Sequence, residues 1–448
     1  MKTPACPDKE VLHVYRKVFA ELMRWKDSPR RKPLVLKGAR QVGKTWLMKE
    51  LAGKAYDDSV YISFDKDADA VKIFAETKDP KLILERLTLI RNKAILPEKT
   101  LIILDEIQEC PNALGCLKYF NEEANHYHVI TAGSLLGTYL AQPASYPVGK
   151  VNLLNIYPLS FEEYLAAADE GMYQYYCSVK SGKDYVAAFH QKMTEHYKKY
   201  LIIGGMPECV QSWVKSADPA EITAIQAEII SFYENDFTKH NGKIASGRIL
   251  QVFRSIVPQL AKENKEKFMY AAIAKSARAK DFEDAIEWLV SSGIAYRILN
   301  ISKPEYPLKA YEILNYFKLF LLDVGLLKHL AELTNKSIML SESFQFKGQL
   351  TENYVLEQLM PILDSAPKFY AFAQEREIDF ILQYGESIIP IEIKSGGTKK
   401  AVSFKSYIEK HHPEIAVRFS TKEYLKNGAI TNIPLYFAGK IFELAFDA

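Results

Sequence analysis

Short apolar runs alternate with longer amphipathic stretches over the first third of the chain. Pro33 to Leu36 is an apolar, β-prone run, and Thr45 to Ala52 after it has helical character. Leu101-Ile102-Ile103-Leu104 is wholly apolar, as a strand buried on both faces requires, and His128-Val129-Ile130-Thr131-Ala132 predicts a third strand. This alternation over residues 30–165 predicts a parallel α/β sheet. Residues 1–29 read as a basic helix ending in Pro29-Arg30-Arg31-Lys32-Pro33, a solvated lead-in in preference to a hinge. Residues 166–242 read as helices. In 243–310, Phe268 to Ile298 carries two short helical patterns, an apolar finish from Ile286 and a strand-like Ala295-Tyr296-Arg297-Ile298. In 311–448, Tyr316 to Leu330 predicts a buried core helix, Leu350 to Val355 opens another helix, and Glu377 to Leu382 and Ile388 to Lys394 read as strands. The length of 448 residues fits about two to four domains.

The loop between the first strand and its helix carries the clearest chemistry. Gly38-Ala39-Arg40-Gln41-Val42-Gly43-Lys44-Thr45 fits G-x-x-x-x-G-K-[ST], the phosphate-binding P-loop. Its glycines let successive N–H groups converge on one anion at a helix N-terminus. Lys44 is expected to reach the β- and γ-phosphates of ATP, and the Thr45 hydroxyl to ligate Mg²⁺. Asp105 and Glu106 close the buried run, Asp105 to hold Mg²⁺ and Glu106 to activate water as general base. Ser134, just past the third strand, is placed to sense the γ-phosphate.

With GARQVGKT, LIILDEIQE, ITAGS and Tyr157 to Leu165 (YPLSFEEYL) in hand, residues 30–165 resemble the AAA+-related bacterial and archaeal ATPases of the STAND-like group. That resemblance implies that Gly204-Gly205-Met206-Pro207-Glu208 packs near the adenine, with Pro207 at the matching position. It also implies a winged helix over 243–310. Phe317 to Leu327 resembles the group's linker into a C-terminal domain of unassigned function. One departure is Lys150, in Gly149-Lys150-Val151, where members carry an arginine; lysine keeps the charge but loses the bidentate fork. Arg40 is a second candidate for that role, or is simply solvated.

The winged-helix-like segment holds twelve Lys or Arg against seven Asp or Glu, an excess of five that suits nucleic acid. Its would-be recognition helix carries Asp281, Glu283, Asp284 and Glu287, which would repel phosphates and suit a lid packed on the ATPase.

A second constellation lies near the C-terminus. Strand alternation puts Glu392 and Lys394 on one face, and a neighbouring strand carrying Asp379 completes a carboxylate pair for one Mg²⁺. Lys394 can then help deprotonate a metal-bound water, and Glu352 can add a third carboxylate. This arrangement resembles the PD-(D/E)xK nuclease superfamily over roughly 345–420, except that Ile378 stands where a proline usually precedes the aspartate. The expected architecture is thus multidomain α/β: N-terminal helix (1–29), P-loop ATPase core (30–165), helical region (166–242), winged helix (243–310) and restriction-endonuclease-like domain (311–448).

Composition narrows the class. Hydrophobic residues at 48% and charged residues at 25% are globular values, and a net charge of +3 does not by itself argue for nucleic acid. Five scattered cysteines without a C-x-x-C pair suit reduced thiols in the cytoplasm. Lys9, Glu10, Arg16 and Lys17 break any signal-peptide core, and Lys318, Asp323 and Lys328 break the longest apolar run, so no membrane span is expected. The leading reading is an ATP-controlled switch whose nucleotide state positions a nuclease-like domain on nucleic acid. The alternative is an ATP-gated scaffold for a protein partner or a second copy of the chain, with an inactive nuclease fold. A small-molecule kinase fits less well, because Asp105-Glu106 suits water activation and no substrate-lid motif is apparent.

Overall fold

The computed structural model describes residues 15–133, 149–239, 246–262, 267–273, 278–340, 346–372, 376–396 and 402–446. Two sheets organise them. The first contains β1 (Leu34–Lys37), β2 (Asp58–Ser63), β3 (Thr100–Asp105), β4 (His128–Ala132) and β5 (Asn152–Asn155), in the order β2-β3-β4-β1-β5. Each pairing is parallel. Every residue of β3 and β4 is buried, which is why Leu101–Leu104 is an unbroken apolar run rather than an alternating one; the polar Thr100, Asp105, His128 and Thr131 are buried beside it. Parallel strands need crossovers, supplied here by helices such as Lys44–Ala55 and Pro111–Glu123. Parallelism also brings the C-terminal ends of β1 and β3 to one edge, and with them the P-loop and Asp105-Glu106.

The chain then becomes helical through His190–Ile203, Pro207–Ser216 and Pro219–Lys239. Helices Ser246–Leu260 and Ala279–Ser291 lead into an antiparallel hairpin of β6 (Ala295–Ile301) and β7 (Glu312–Leu321). That hairpin forms the edge of a mixed eight-stranded sheet with β8 (Lys368–Ala371), β9 (Glu377–Tyr384), β10 (Ser387–Lys394), β11 (Ala416–Ser420), β12 (Leu425–Asn427) and β13 (Ile430–Pro434). Its order is β12-β13-β11-β10-β9-β8-β6-β7. β6 meets β8 at Asn300 and Phe369. The division expected at residue 310 therefore runs between two strands of one hairpin.

The core helix expected over Tyr316 to Leu330 is corrected. Its first half is the end of β7, and a helix begins only at Val324. Asp323 makes the break: its side chain caps the new helix by accepting from Leu326 N at 2.8 Å. Short apolar runs read alike as buried strand or buried helix, and the capping residue within the run was the discriminating signal.

One apolar cluster runs from Leu36 of the first sheet through Tyr200 and Phe237 of the helical region to Ile298, Tyr354 and Phe380 of the second. The first sheet's other face has its own cluster, including Val35, Ile102, Leu104 and Phe120. Among the described residues no helix is long and apolar enough to cross a membrane.

Candidate functional site

The P-loop links β1 directly to helix Lys44–Ala55. Gly38 has φ +149°, and a Cβ there would overlap the carbonyl oxygen of Ile156. Gly43, at φ +93°, is the residue just before the helix. Both backbones favour glycine, which is the physical content of the motif spacing. Gln41 also adopts positive φ, at 64°. Ala39 and Val42 are buried and anchor the loop from below.

Lys44 folds over this loop. Its Nζ donates to Gly38 O at 2.9 Å and Ala39 O at 2.6 Å, and the side chain is buried. Burial lowers its ammonium from the ordinary lysine value to about 8, while Glu106 and Asp105 pull the other way. Thr45 Oγ1 donates to Asp105 Oδ2 at 2.8 Å, and Tyr61 of β2 donates to the same oxygen at 2.9 Å. A hydroxyl and a carboxylate held this close are hard oxygen donors of the kind Mg²⁺ takes beside phosphates and water. Glu106 follows in the left-handed region at φ +50°, and its N–H donates to Asp105 Oδ1 at 3.0 Å. Ser134 lies outside the described residues.

Lys44, Thr45, Asp105 and Glu106 line one cleft of about 730 Å³, together with Arg16, Arg40, Gln41, Gly43, Leu159, Pro207 and Glu208. That volume is within the range of small-ligand sites. The structure thus brings Lys44, Thr45, Asp105, Glu106 and Pro207 together. Pro207 opens a helix, and a Cβ on Gly43 would sit 3.7 Å from its Cγ.

The walls come from far along the chain. Arg16 is buried; its Nη1 donates to Val42 O at 2.9 Å, its Nη2 to Tyr157 O at 2.8 Å, and its Nε to Glu163 Oε1 at 3.2 Å. Glu163 also forms a capping box with Ser160, so the FEEYL stretch both starts a helix and holds the arginine against the P-loop. Arg40 pairs with Asp236 Oδ2 at 2.6 Å, and Tyr233 donates to Arg40 O at 2.9 Å, tying the loop to helix Pro219–Lys239. Gly293, in the turn before β6, packs on the same loop: a Cβ there would lie 3.2 Å from Ala39 N. Lys150 precedes β5 at the opposite end of the sheet, where it pairs with Glu122 at 2.8 Å. It does not line the cleft.

A buried polar hub joins this cleft to the C-terminal sheet. Asp323 is fully buried and accepts from Gly205 N at 2.6 Å and Leu326 N at 2.8 Å. Burial raises its carboxyl to about 6, although hydrogen bonds from Leu326, Gly205, Gly325 and Met206 oppose the rise. Glu357, in helix Lys347–Leu359, accepts from Val324 N at 2.9 Å and Tyr200 Oη at 2.6 Å. Burial, reinforced by Asp323, holds it well above the usual carboxylate range. Gln358 accepts from Phe161 N at 2.7 Å. The Gly-Gly-Met-Pro turn, the Phe161 helix and the helix carrying Glu357 therefore meet in one network.

In the second sheet, β9 and β10 are antiparallel, with Ile391 opposite Phe380. One step further along that register puts Asp379 opposite Glu392, on one face. Asp379 Oδ2 accepts from Ile393 N at 2.7 Å, and Lys394 Nζ pairs with Glu392 Oε1. Both carboxylates are buried. Glu352 lies on helix Lys347–Leu359, and among the described residues no three His, Cys, Asp or Glu side chains are gathered to hold a metal ion. Glu352 thus does not close a three-carboxylate set.

The helix Ala279–Ser291 presents two of its carboxylates to an arginine of the neighbouring strand. Arg297 of β6 meets Glu283 at 2.5 Å and Glu287 at 2.8 Å, and its guanidinium lies 4.0 Å from the Phe317 ring centroid.

Residues 30–165 match the family described as AAA domain, and 194–337 and 347–437 match two families described as domains of unknown function. No curated protein matches the chain. Among solved structures, a signal transduction ATPase with numerous domains from Pyrococcus horikoshii, carrying a tetratricopeptide repeat sensor, is 13% identical with a TM-score of 0.29. That match covers 79% of this chain and 46% of the Pyrococcus chain, so the present chain spans about half the length of that protein. The ORC1 protein of Aeropyrum pernix, solved in complex with DNA, is 14% identical over 73% of this chain and 94% of its own, with a TM-score of 0.30. RuvB of Thermotoga maritima is 15% identical over 62% and 88%, with a TM-score of 0.28. By its family match, its parallel sheet and its P-loop, the segment 30–165 is an AAA-type P-loop domain.

Proposed function

We propose that this chain is an ATP-hydrolysing switch, and that its nucleotide state is passed to the C-terminal sheet. The observation that carries the reading is the Thr45–Asp105 contact at 2.8 Å, with Lys44 and Glu106 on either side of it in one cleft. Thr45 and Asp105 would hold Mg²⁺, which neutralises charge on the phosphates during transfer. Lys44 turns from the loop carbonyls to the phosphate oxygens. Glu106 takes a proton from the attacking water. Pro207 and Leu159 border the same cleft, and Gly205 and Asp323 tie that border to Glu357. A shift of Pro207 on nucleotide entry therefore has a buried route into helix Lys347–Leu359. The Gly293 turn on the P-loop and the pairing of Glu283 and Glu287 with Arg297 of the same segment favour a lid role for the winged-helix-like segment. The test is ATP turnover together with hydrogen exchange of residues 347–359 with and without ATP; protection there that ignores nucleotide overturns the coupling.

Binding should also move protons. The Lys44 amine, lowered by burial to about 8, is roughly half neutral at that pH. A triphosphate raises its affinity for a proton, so ATP binding takes up a fraction of a proton near pH 8 and very little below about pH 7. Calorimetry in two buffers of different ionisation enthalpy reads this directly, and equal heats at pH 8 would count against it.

The shared face of Asp379, Glu392 and Lys394 favours a second activity in the C-terminal sheet, metal-dependent phosphodiester cleavage. Asp379→Ala and Lys394→Ala are each expected to abolish Mg²⁺- or Mn²⁺-dependent cleavage of DNA or RNA while ATP turnover continues. Wild-type protein that cleaves neither leaves the scaffold reading of this sheet.

A further inference from the structure

Gln108 stands out among the buried polar side chains beside the cleft. It sits in the 3₁₀ turn Ile107–Glu109, which follows β3 and Glu106, and is only 3% exposed. Its Nε2 donates to Glu106 Oε2. Its Oε1 is buried and meets no hydrogen-bond donor among the described residues. Nothing among the described residues offsets that desolvated carbonyl, whereas a methionine would fill the same space without an unmet acceptor. Turning the amide over would set Oε1 against the Glu106 carboxylate, two acceptors face to face, so the donor orientation is fixed.

The backbone also needs such a brace. Glu106 is left-handed without being glycine, and the turn closes through Glu109 N to Glu106 O at 3.0 Å and Cys110 N to Ile107 O at 3.0 Å. These bonds fix where the Glu106 Cα lies and leave its side-chain torsions free. The amide of Gln108 fixes one carboxylate oxygen and leaves Oε1 of Glu106 for another partner.

We infer that Gln108 is a positioning residue for hydrolysis: it holds the Glu106 carboxylate toward the phosphate end of the cleft so that its second oxygen meets the attacking water. This rests on the reading of Glu106 as the base. Gln108→Met keeps length and removes the donor; Gln108→Glu keeps shape and replaces donor by acceptor. Each is expected to lower kcat by roughly 10- to 100-fold, the scale of a misplaced catalytic group. Affinity for ATP should stay within about twofold, because the Gln108 amide donates to Glu106 and not to the P-loop. In a Glu106→Gln background, Gln108→Met should add no further loss, as residues acting through one group are not additive. Thermal unfolding of each variant checks the fold. Wild-type kcat in Gln108→Met, independent losses in the double variant, or a loss of ATP affinity in step with kcat would each overturn the inference. If Gln108→Met is slow but Glu106→Gln is not, the assignment of the base fails instead; wild-type protein that binds ATP without turnover overturns the hydrolytic reading itself.

Discussion

Lys44→Ala is expected to abolish measurable ATP binding while the protein stays folded. The ammonium is the side-chain cation of the P-loop, held by two loop carbonyls whose place phosphate oxygens can take. Removing one partner of a buried, hydrogen-bonded charge pair typically costs about 2–5 kcal/mol, or roughly 30- to several-thousand-fold in affinity. The fold has little reason to suffer, because burial of this amine already works against its charge. Fluorescent-nucleotide titration beside a thermal melt separates the two effects. A folded Lys44→Ala protein with wild-type affinity would remove the basis for the nucleotide site.

The second large effect is on turnover. Glu106→Gln keeps the length of the side chain and its ability to hydrogen-bond, and removes the base. Loss of a general base lowers rates by about 10²–10⁴-fold. Binding should survive, since the Lys44 and Thr45 contacts do not pass through Glu106. The expected outcome is therefore a protein that loads ATP and holds it. Phosphate release under saturating ATP measures this, and an unaltered rate would assign the base to another residue.

The part of this site that was legible in the sequence is the part made of contiguous residues. A P-loop is eight positions whose spacing is dictated by backbone geometry, and Gly38 and Gly43 sit in conformations that explain their identity. Asp105-Glu106 was legible because β3 is buried on both faces and ends abruptly in charge. The walls were not, because they close over long separations. Arg16 reaches Glu163 across 147 positions, Tyr233 reaches Arg40 across 193, and Gly205 reaches Asp323 across 118. Nothing local marks these residues. Arg16 is one basic residue in a basic stretch, and its only signal was the second glutamate of FEEYL, which needed a partner. The hairpin of β6 and β7 was half legible: strand character at Ala295 was plain, whereas Tyr316 to Leu321 lacked the alternation that separates strand from helix.

The roof over the P-loop also sets an order of events during synthesis. A ribosome finishes Gly38 to Thr45 long before it makes Asp236, and Asp236 before Gly293, yet both close on that loop. At about 5–20 residues per second, the last of these arrives roughly ten to fifty seconds after the loop itself. Early in that interval, until Phe232 is made, the nascent chain carries a complete phosphate-binding motif without all of its walls. A product truncated ahead of Leu159 would therefore keep the motif and lack the far wall of the cleft, which makes the site a property of the chain from Arg16 to Phe232 rather than of the segment that bears its signature.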